Sequence, residues 1–239
     1  MWALGVSIAA VVPRLVGGLV VLARRDRLHV ALGVAAGALV GVALFEALPE
    51  ARGLLDTGAL ATAGLAGALV LGVFAFWRLE RGVFGHVHSD DAACSQRSGH
   101  IGAAGLTTHA FIDGLAVGAA FQASTELGAI VSVAVLIHAL SDGFNTVAVV
   151  LRAGHRDATA IRWLVANSLA PLAGAALGGL VTLPNVALGL ILAFFAGMFL
   201  YLGGLSLLPE AHRSVRDHRV VGLAAAFGIL LALAPAMLL

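Results

Sequence analysis

Two pairs of ionisable residues sit where the surrounding sequence is almost wholly apolar. His109 and Asp113 are four residues apart, and so are His138 and Asp142. Each pair belongs to the same string, His-Ala-x-x-Asp-Gly: His109-Ala110-Phe111-Ile112-Asp113-Gly114 and His138-Ala139-Leu140-Ser141-Asp142-Gly143. On a helix, positions i and i+4 share a face, with Cβ atoms about 5–6 Å apart. A carboxylate buried in apolar surroundings costs several kcal/mol unless it is compensated. Three chemistries meet that demand: structural His–Asp pairs, a proton relay, or a cage for a divalent transition metal. The duplication, and the standing of imidazole as the commonest metal ligand, favour the cage. Mixed nitrogen and oxygen donors suit Zn²⁺ first, with Fe²⁺, Mn²⁺, Co²⁺ or Cd²⁺ as alternatives, and argue against Cu⁺, which prefers sulfur. Asn145 and Ser141, seven and three residues after His138, are candidates for a further ligand, an orienting hydrogen bond or helix-packing polar contacts. Gly114 and Gly143 are expected to let the helices approach closely.

The elements that must hold these residues are membrane spans. Of 239 residues, 60% are hydrophobic and 11% charged, against about 45–50% and 25% in a soluble domain. That excludes an ordinary water-soluble enzyme and a disordered chain. A formal net charge of +1 leaves no basic face for nucleic acid, and a single cysteine, Cys94, excludes an internal disulfide or a Cys-cluster metal site. About 20 apolar residues cross a bilayer as helix. Eight stretches qualify: 1–23, 29–49, 58–78, 101–123, 127–151, 161–182, 186–208 and 219–239. The expectation is one all-α transmembrane domain over 1–239, with the lipid bilayer as its surroundings and a His-containing loop at 79–100. The first stretch lacks an A-x-A cleavage site and reads as retained helix. Its Pro13-Arg14 pair, in mid-span, marks a kink facing protein or water.

All fourteen basic residues are arginines, a usage that points to a GC-rich bacterial genome and a multi-pass protein of the inner membrane. Twelve of them fall in four alternate connections: Arg24, Arg25 and Arg27; Arg78, Arg81 and Arg97; Arg152, Arg156 and Arg162; Arg213, Arg216 and Arg219. The other side carries only Arg52. The positive-inside rule then puts those connections in the cytoplasm and both termini outside. The chain also repeats itself. Besides the two His-Ala-x-x-Asp-Gly strings, span two ends Ala47-Leu48-Pro49-Glu50-Ala51 and span seven ends Leu207-Leu208-Pro209-Glu210-Ala211. In this topology each pair runs in opposite directions, so spans 1–3 and 6–8 flank a central pair. Inverted repeats of this kind are a mark of transporters.

In these features the chain resembles the ZIP (Zrt/Irt-like) metal transporters. Span four is similar to the family's H-N-x-x-[DE]-G signature, with His109, Ala110 and Asp113-Gly114, continuing Leu115-Ala116-Val117-Gly118. Span five is similar through His138, Ala139 and Asp142, and span seven through Gly197-Met198-Phe199-Leu200-Tyr201 leading to Leu208-Pro209-Glu210. The resemblance implies eight spans in a 3+2+3 inverted repeat, a homodimer, and transport toward the cytoplasm. Many members hold a second metal beside the first. The positions that would bind it are Ala110, Ala139 and Ala170 here, so the resemblance implies a mononuclear site at His109, Asp113, His138 and Asp142. Such a site is neutral when it holds a divalent ion between two carboxylates and two neutral imidazoles. When empty, its carboxylates must take a proton or lean on a protonated His.

Other polar residues are weaker candidates. Glu46 and Glu50 form an entrance funnel for cations or are ordinary interfacial carboxylates. Glu210 and His212 mark an exit or a helix end, although Leu205 and Ser206 supply no ligand where family members often carry His or Glu. His86, His88 and His100, with Asp90, Asp91 and Cys94, make a weak loop site for metal or a solvated linker. Metal transport by alternating access is the leading reading. A membrane-embedded metal-dependent hydrolase is the alternative, though it lacks a spare mid-membrane carboxylate as general base. A sensor lacks an output domain.

Overall fold

A computed structural model describes residues 2–55, 58–82, 92–181, 184–213 and 218–238, all helical or in short turns between helices. The helices are α1 (Trp2–Ala23), α2 (Leu28–Val42), α3 (Leu48–Gly53), α4 (Ala59–Gly82), α5 (Ala92–Ala123), α6 (Thr125–Arg152), α7 (Asp157–Gly178), α8 (Asn185–Leu200), α9 (Leu208–Arg213) and α10 (His218–Leu238). Helix α2 passes into α3, and α8 into α9, through π-helical segments at Ala43–Ala47 and Tyr201–Leu207. Among the described residues, seven stretches are long and apolar enough to cross a membrane. An eighth, shorter apolar run occupies His218–Leu233 of α10.

Helices α1 and α7 bury mostly small or polar residues and expose large apolar ones, unlike a soluble bundle. On α1 the buried positions are Ser7, Ala10, Arg14, Gly17, Gly18 and Val21. Leu4, Ile8, Val12, Val16 and Leu19, on the opposite face, are exposed. Helix α7 repeats the pattern, burying Ala160, Asn167, Ser168, Gly174 and Gly178 while exposing Ile161, Val165 and Leu169. Lipid is as apolar as leucine, so large side chains gain little by turning inward. Close backbone packing and polar contacts hold such helices together instead.

The two π segments have a common cause. Pro49 and Pro209 have no N–H to give to the carbonyl four residues earlier, and each ring crowds that carbonyl. Widening the turn before each proline relieves the clash. The two Leu-Pro-Glu-Ala strings therefore share a backbone distortion as well as a sequence.

The described residues of the segment 79–100 are helical: α4 continues to Gly82 and α5 starts at Ala92. Leu, Glu and Arg at 79–81 and Ala at 92–93 are good helix formers, and a helix need not stop where its apolar stretch does. His86, His88, Asp90 and Asp91 lie outside the described residues. Helix α1 is continuous over Pro13. The chain divides into two compact units. The first comprises Met1–Ala31 with Ser89–Thr182, and the second Leu32–His88 with Leu183–Leu238. The pair α5–α6 thus shares its unit with α1 and α7, while α2, α3, α4, α8, α9 and α10 make the other.

Within the first unit, glycines set the approach of the helices. A Cβ on Gly114 would overlap the carbonyl of Pro171 on α7, and one on Gly143 the carbonyl of Arg14 on α1. The glycines that end the two repeated strings admit α7 and α1, rather than drawing α5 and α6 onto each other.

Candidate metal centre

Helices α5 and α6 run antiparallel through a one-residue break at Ser124. His109 lies fifteen residues before that break and His138 fourteen after it. At 1.5 Å per residue the two imidazoles reach the same depth, about 22 Å from the turn. All four residues of the repeated strings are buried.

Ligand atoms of His109, Asp113 and His138 all lie within 4.8 Å of one another. His109 Nε2 is 3.4 Å from Asp113 Oδ1, and His138 Nε2 is 3.2 Å from Asp113 Oδ2. Asp113 therefore stands between the two imidazoles, one oxygen toward each. Two nitrogens and a carboxylate are the donor set that borderline-soft divalent ions accept. Asp142, the fourth expected ligand, is adjacent: its Oδ2 is 3.8 Å from His138 Nε2. That oxygen is also 2.8 Å from Nη2 of Arg14, a guanidinium with no solvent exposure. The same Nη2 lies 3.5 Å from Asp113 Oδ2.

Arg14 is the residue whose part in the site sequence reasoning missed. Its mid-span position showed that it had to face protein or water. Its partners stand 99 and 128 positions away, and no local pattern links them. It also alters the expected charge. Its guanidinium adds a permanent positive charge beside the two carboxylates, which the sequence reading did not count.

The remaining candidates divide. Asn145 is buried on α6, and its Oδ1 has no hydrogen-bond partner among the described residues. Ser141 is half-buried. Ala110 and Ala139 are fully buried beside the histidines and offer no donor. Glu46 and Glu50 belong to the second unit, Glu46 within the π segment and Glu50 on the exposed side of α3. Glu210 and His212 are on α9 of the same unit. Glu210 lies 3.9 Å from Arg213, and His212 Nδ1 bonds the Leu208 carbonyl at 2.8 Å and stacks on His218. Those are the contacts of a helix end. His100 is on α5 and accepts a 2.8 Å hydrogen bond from Trp163 Nε1, with its ring 4.3 Å from that of His155. It is an exposed helical residue with a partner, His155, that the sequence did not single out. Asn167, likewise unforeseen, donates from α7 to the Leu106 carbonyl at 3.2 Å, one turn before His109.

Residues 85–235 match the family model described as ZIP Zinc transporter. Among curated proteins the chain is similar to "Zinc transporter zipt-7.1" of Caenorhabditis briggsae, at 32% identity over 46% of this chain and 29% of that protein. It is similar to "Zinc transporter SLC39A7" of Homo sapiens, at 32% over 48% and 26%, and to "Zinc transporter ZIP10" of Danio rerio, at 38% over 46% and 13%. The matched segment thus spans less than a third of each of these relatives. The family match covers more than half of the chain and takes in both His-Ala-x-x-Asp-Gly helices with their buried ligands, so the chain belongs to the ZIP zinc transporter family.

Proposed function

We propose that the chain carries a divalent transition metal, zinc before iron, manganese, cobalt or cadmium, across a bacterial inner membrane toward the cytoplasm. The cargo sits as a single ion among His109, Asp113 and His138, with Asp142 available as the fourth ligand. The carrying observation is the convergence of three buried ligands, from two antiparallel membrane helices, at one depth. Alternating access supplies the movement: a buried site in the middle of a span is useful only if each side of the membrane reaches it in turn. The likeness to proteins named zinc transporters supports the choice of cargo. Hydrolysis gains no support, since both mid-membrane carboxylates are already engaged with the imidazoles and Arg14. A homodimer follows from the family resemblance.

Purified protein in sealed vesicles accumulates zinc, and a variant lacking His86, His88 and His100 binds one zinc per chain in equilibrium titration. Failure to accumulate any of these metals overturns the transport reading. Two ions between α5 and α6 overturn the single-ion site, which rests on Ala110, Ala139 and Ala170.

The orientation has its own test. An impermeant thiol reagent leaves Cys94 unlabelled in intact cells and labels it in inverted vesicles. Labelling in intact cells reverses the topology that the arginines imply.

A further inference from the structure

The proposal here rests on the transport reading above and concerns how the site lets go of its cargo. Arg14 reaches the centre because Gly143, next to Asp142, allows the α1 backbone to lie directly on α6. Its Nη2 takes the oxygens on the His138 side: Asp142 Oδ2, which faces His138 Nε2 at 3.8 Å, and Asp113 Oδ2, which faces it at 3.2 Å. These are the atoms that a metal bound by His138 needs. Among the described residues the Nε and Nη1 of Arg14 are buried with no hydrogen-bond acceptor. A group serving only to fill and neutralise would be expected to satisfy its donors. Arginine, unlike lysine or histidine, keeps its charge in any such setting.

We infer that Arg14 is a tethered cation that competes with the cargo for Asp142. In the empty site the guanidinium holds Asp142. In the loaded site the metal takes Asp142 Oδ2 and the guanidinium withdraws. The return of Arg14 to Asp142 then displaces the ion. A fixed positive charge a few ångströms from a divalent ion weakens its binding, and in a site shielded from water this repulsion is large. Arg14 thus trades affinity for release, which suits a carrier that must unload. It acts as a positioning and affinity-setting residue, and it makes no bond to the metal.

Zinc titration of the purified full-length protein at pH 8, with vesicle uptake measured alongside, tests the idea. Arg14→Gln keeps a donor for Asp142 and removes the charge, so it binds zinc at least about tenfold more tightly. Its uptake shows a lower KM together with a lower maximal rate, because release slows. A purely structural arginine predicts the opposite, weaker zinc binding by Arg14→Gln. The wild-type protein provides a measurement that does not depend on any variant folding. In its zinc-loaded structure the bond between Arg14 Nη2 and Asp142 Oδ2 is broken and Asp142 touches the metal. Retention of that bond beside a bound zinc, or a folded Arg14→Gln variant with unchanged or weaker affinity, overturns the proposal and leaves the transport site standing. No zinc at His109, Asp113 and His138 of the wild-type protein overturns the transport reading itself.

Discussion

His109→Ala abolishes metal uptake, by more than about a hundredfold, while the protein still reaches the membrane. Outer-shell partners of a metal ligand typically cost 10–100-fold when removed, and His109 stands in the ligand set itself. The remaining contacts explain why the fold survives. Asp113 keeps His138 at 3.2 Å and Arg14 at 3.5 Å, so the loss of one imidazole leaves no isolated buried charge. Asp142→Ala also abolishes uptake, and it carries a second penalty. Arg14 then retains only the longer contact to Asp113, and breaking a buried pair from one side costs about 3–5 kcal/mol. The two variants should therefore separate in a thermal melt: His109→Ala close to wild type, Asp142→Ala well below it. Near-normal uptake by His109→Ala at equal expression would remove the site from consideration.

Gly143→Val prevents assembly of the first helical unit. A Cβ there would fall 2.6 Å from the carbonyl carbon and 2.9 Å from the Cα of Arg14, besides overlapping its carbonyl oxygen. These are backbone atoms and cannot swing aside as a side-chain tip does. Overpacking typically costs 1–3 kcal/mol, and with backbone against backbone we expect about 3 kcal/mol or more. Gly222→Ala provides the control, because nothing lies within 4 Å of a Cβ at that position. Monodispersity and melting of the detergent-purified protein report the outcome: Gly222→Ala behaves as wild type, and Gly143→Val aggregates or melts far earlier. If the two variants melt within a few degrees of each other, the close approach of α1 and α6 is not what holds this unit together.

The features the sequence displayed were local ones. Apolar runs near 20 residues long marked the spans, because the bilayer imposes a length that hydropathy reads directly. The i, i+4 spacing put His109 with Asp113 and His138 with Asp142, and their equal distance from a tight turn matched their depth. What escaped notice was set by contacts distant in the chain. Arg14 shows no periodicity that names Asp142. His155 follows the turn glycine Gly154, at φ 79°, and reads as loop until α5 and α7 bring His100 and Trp163 beside it. The packing of α1 is one such case: it lies with α5, α6 and α7 because Gly17, Gly18 and Gly143 fit it there. The apolar span ends at Arg78 as expected, while helix α4 runs on to Gly82 because helix propensity does not fall where hydropathy does.

The burial of Arg14 also bears on how the protein is made. Its carboxylate partners are synthesised 99 and 128 residues later, which at 5–20 residues per second is a delay of roughly 5 to 25 seconds. For that interval α1 must lodge in or beside the membrane with an unaccompanied arginine at its centre, a burden of about 2.5–3.5 kcal/mol during insertion. The hydropathy of the rest of α1, 2.2 on average over its most apolar window, has to carry it. Helix α1 thus leaves the ribosome well before its partners, and its docking onto α6 completes the unit only after Asp142 has emerged.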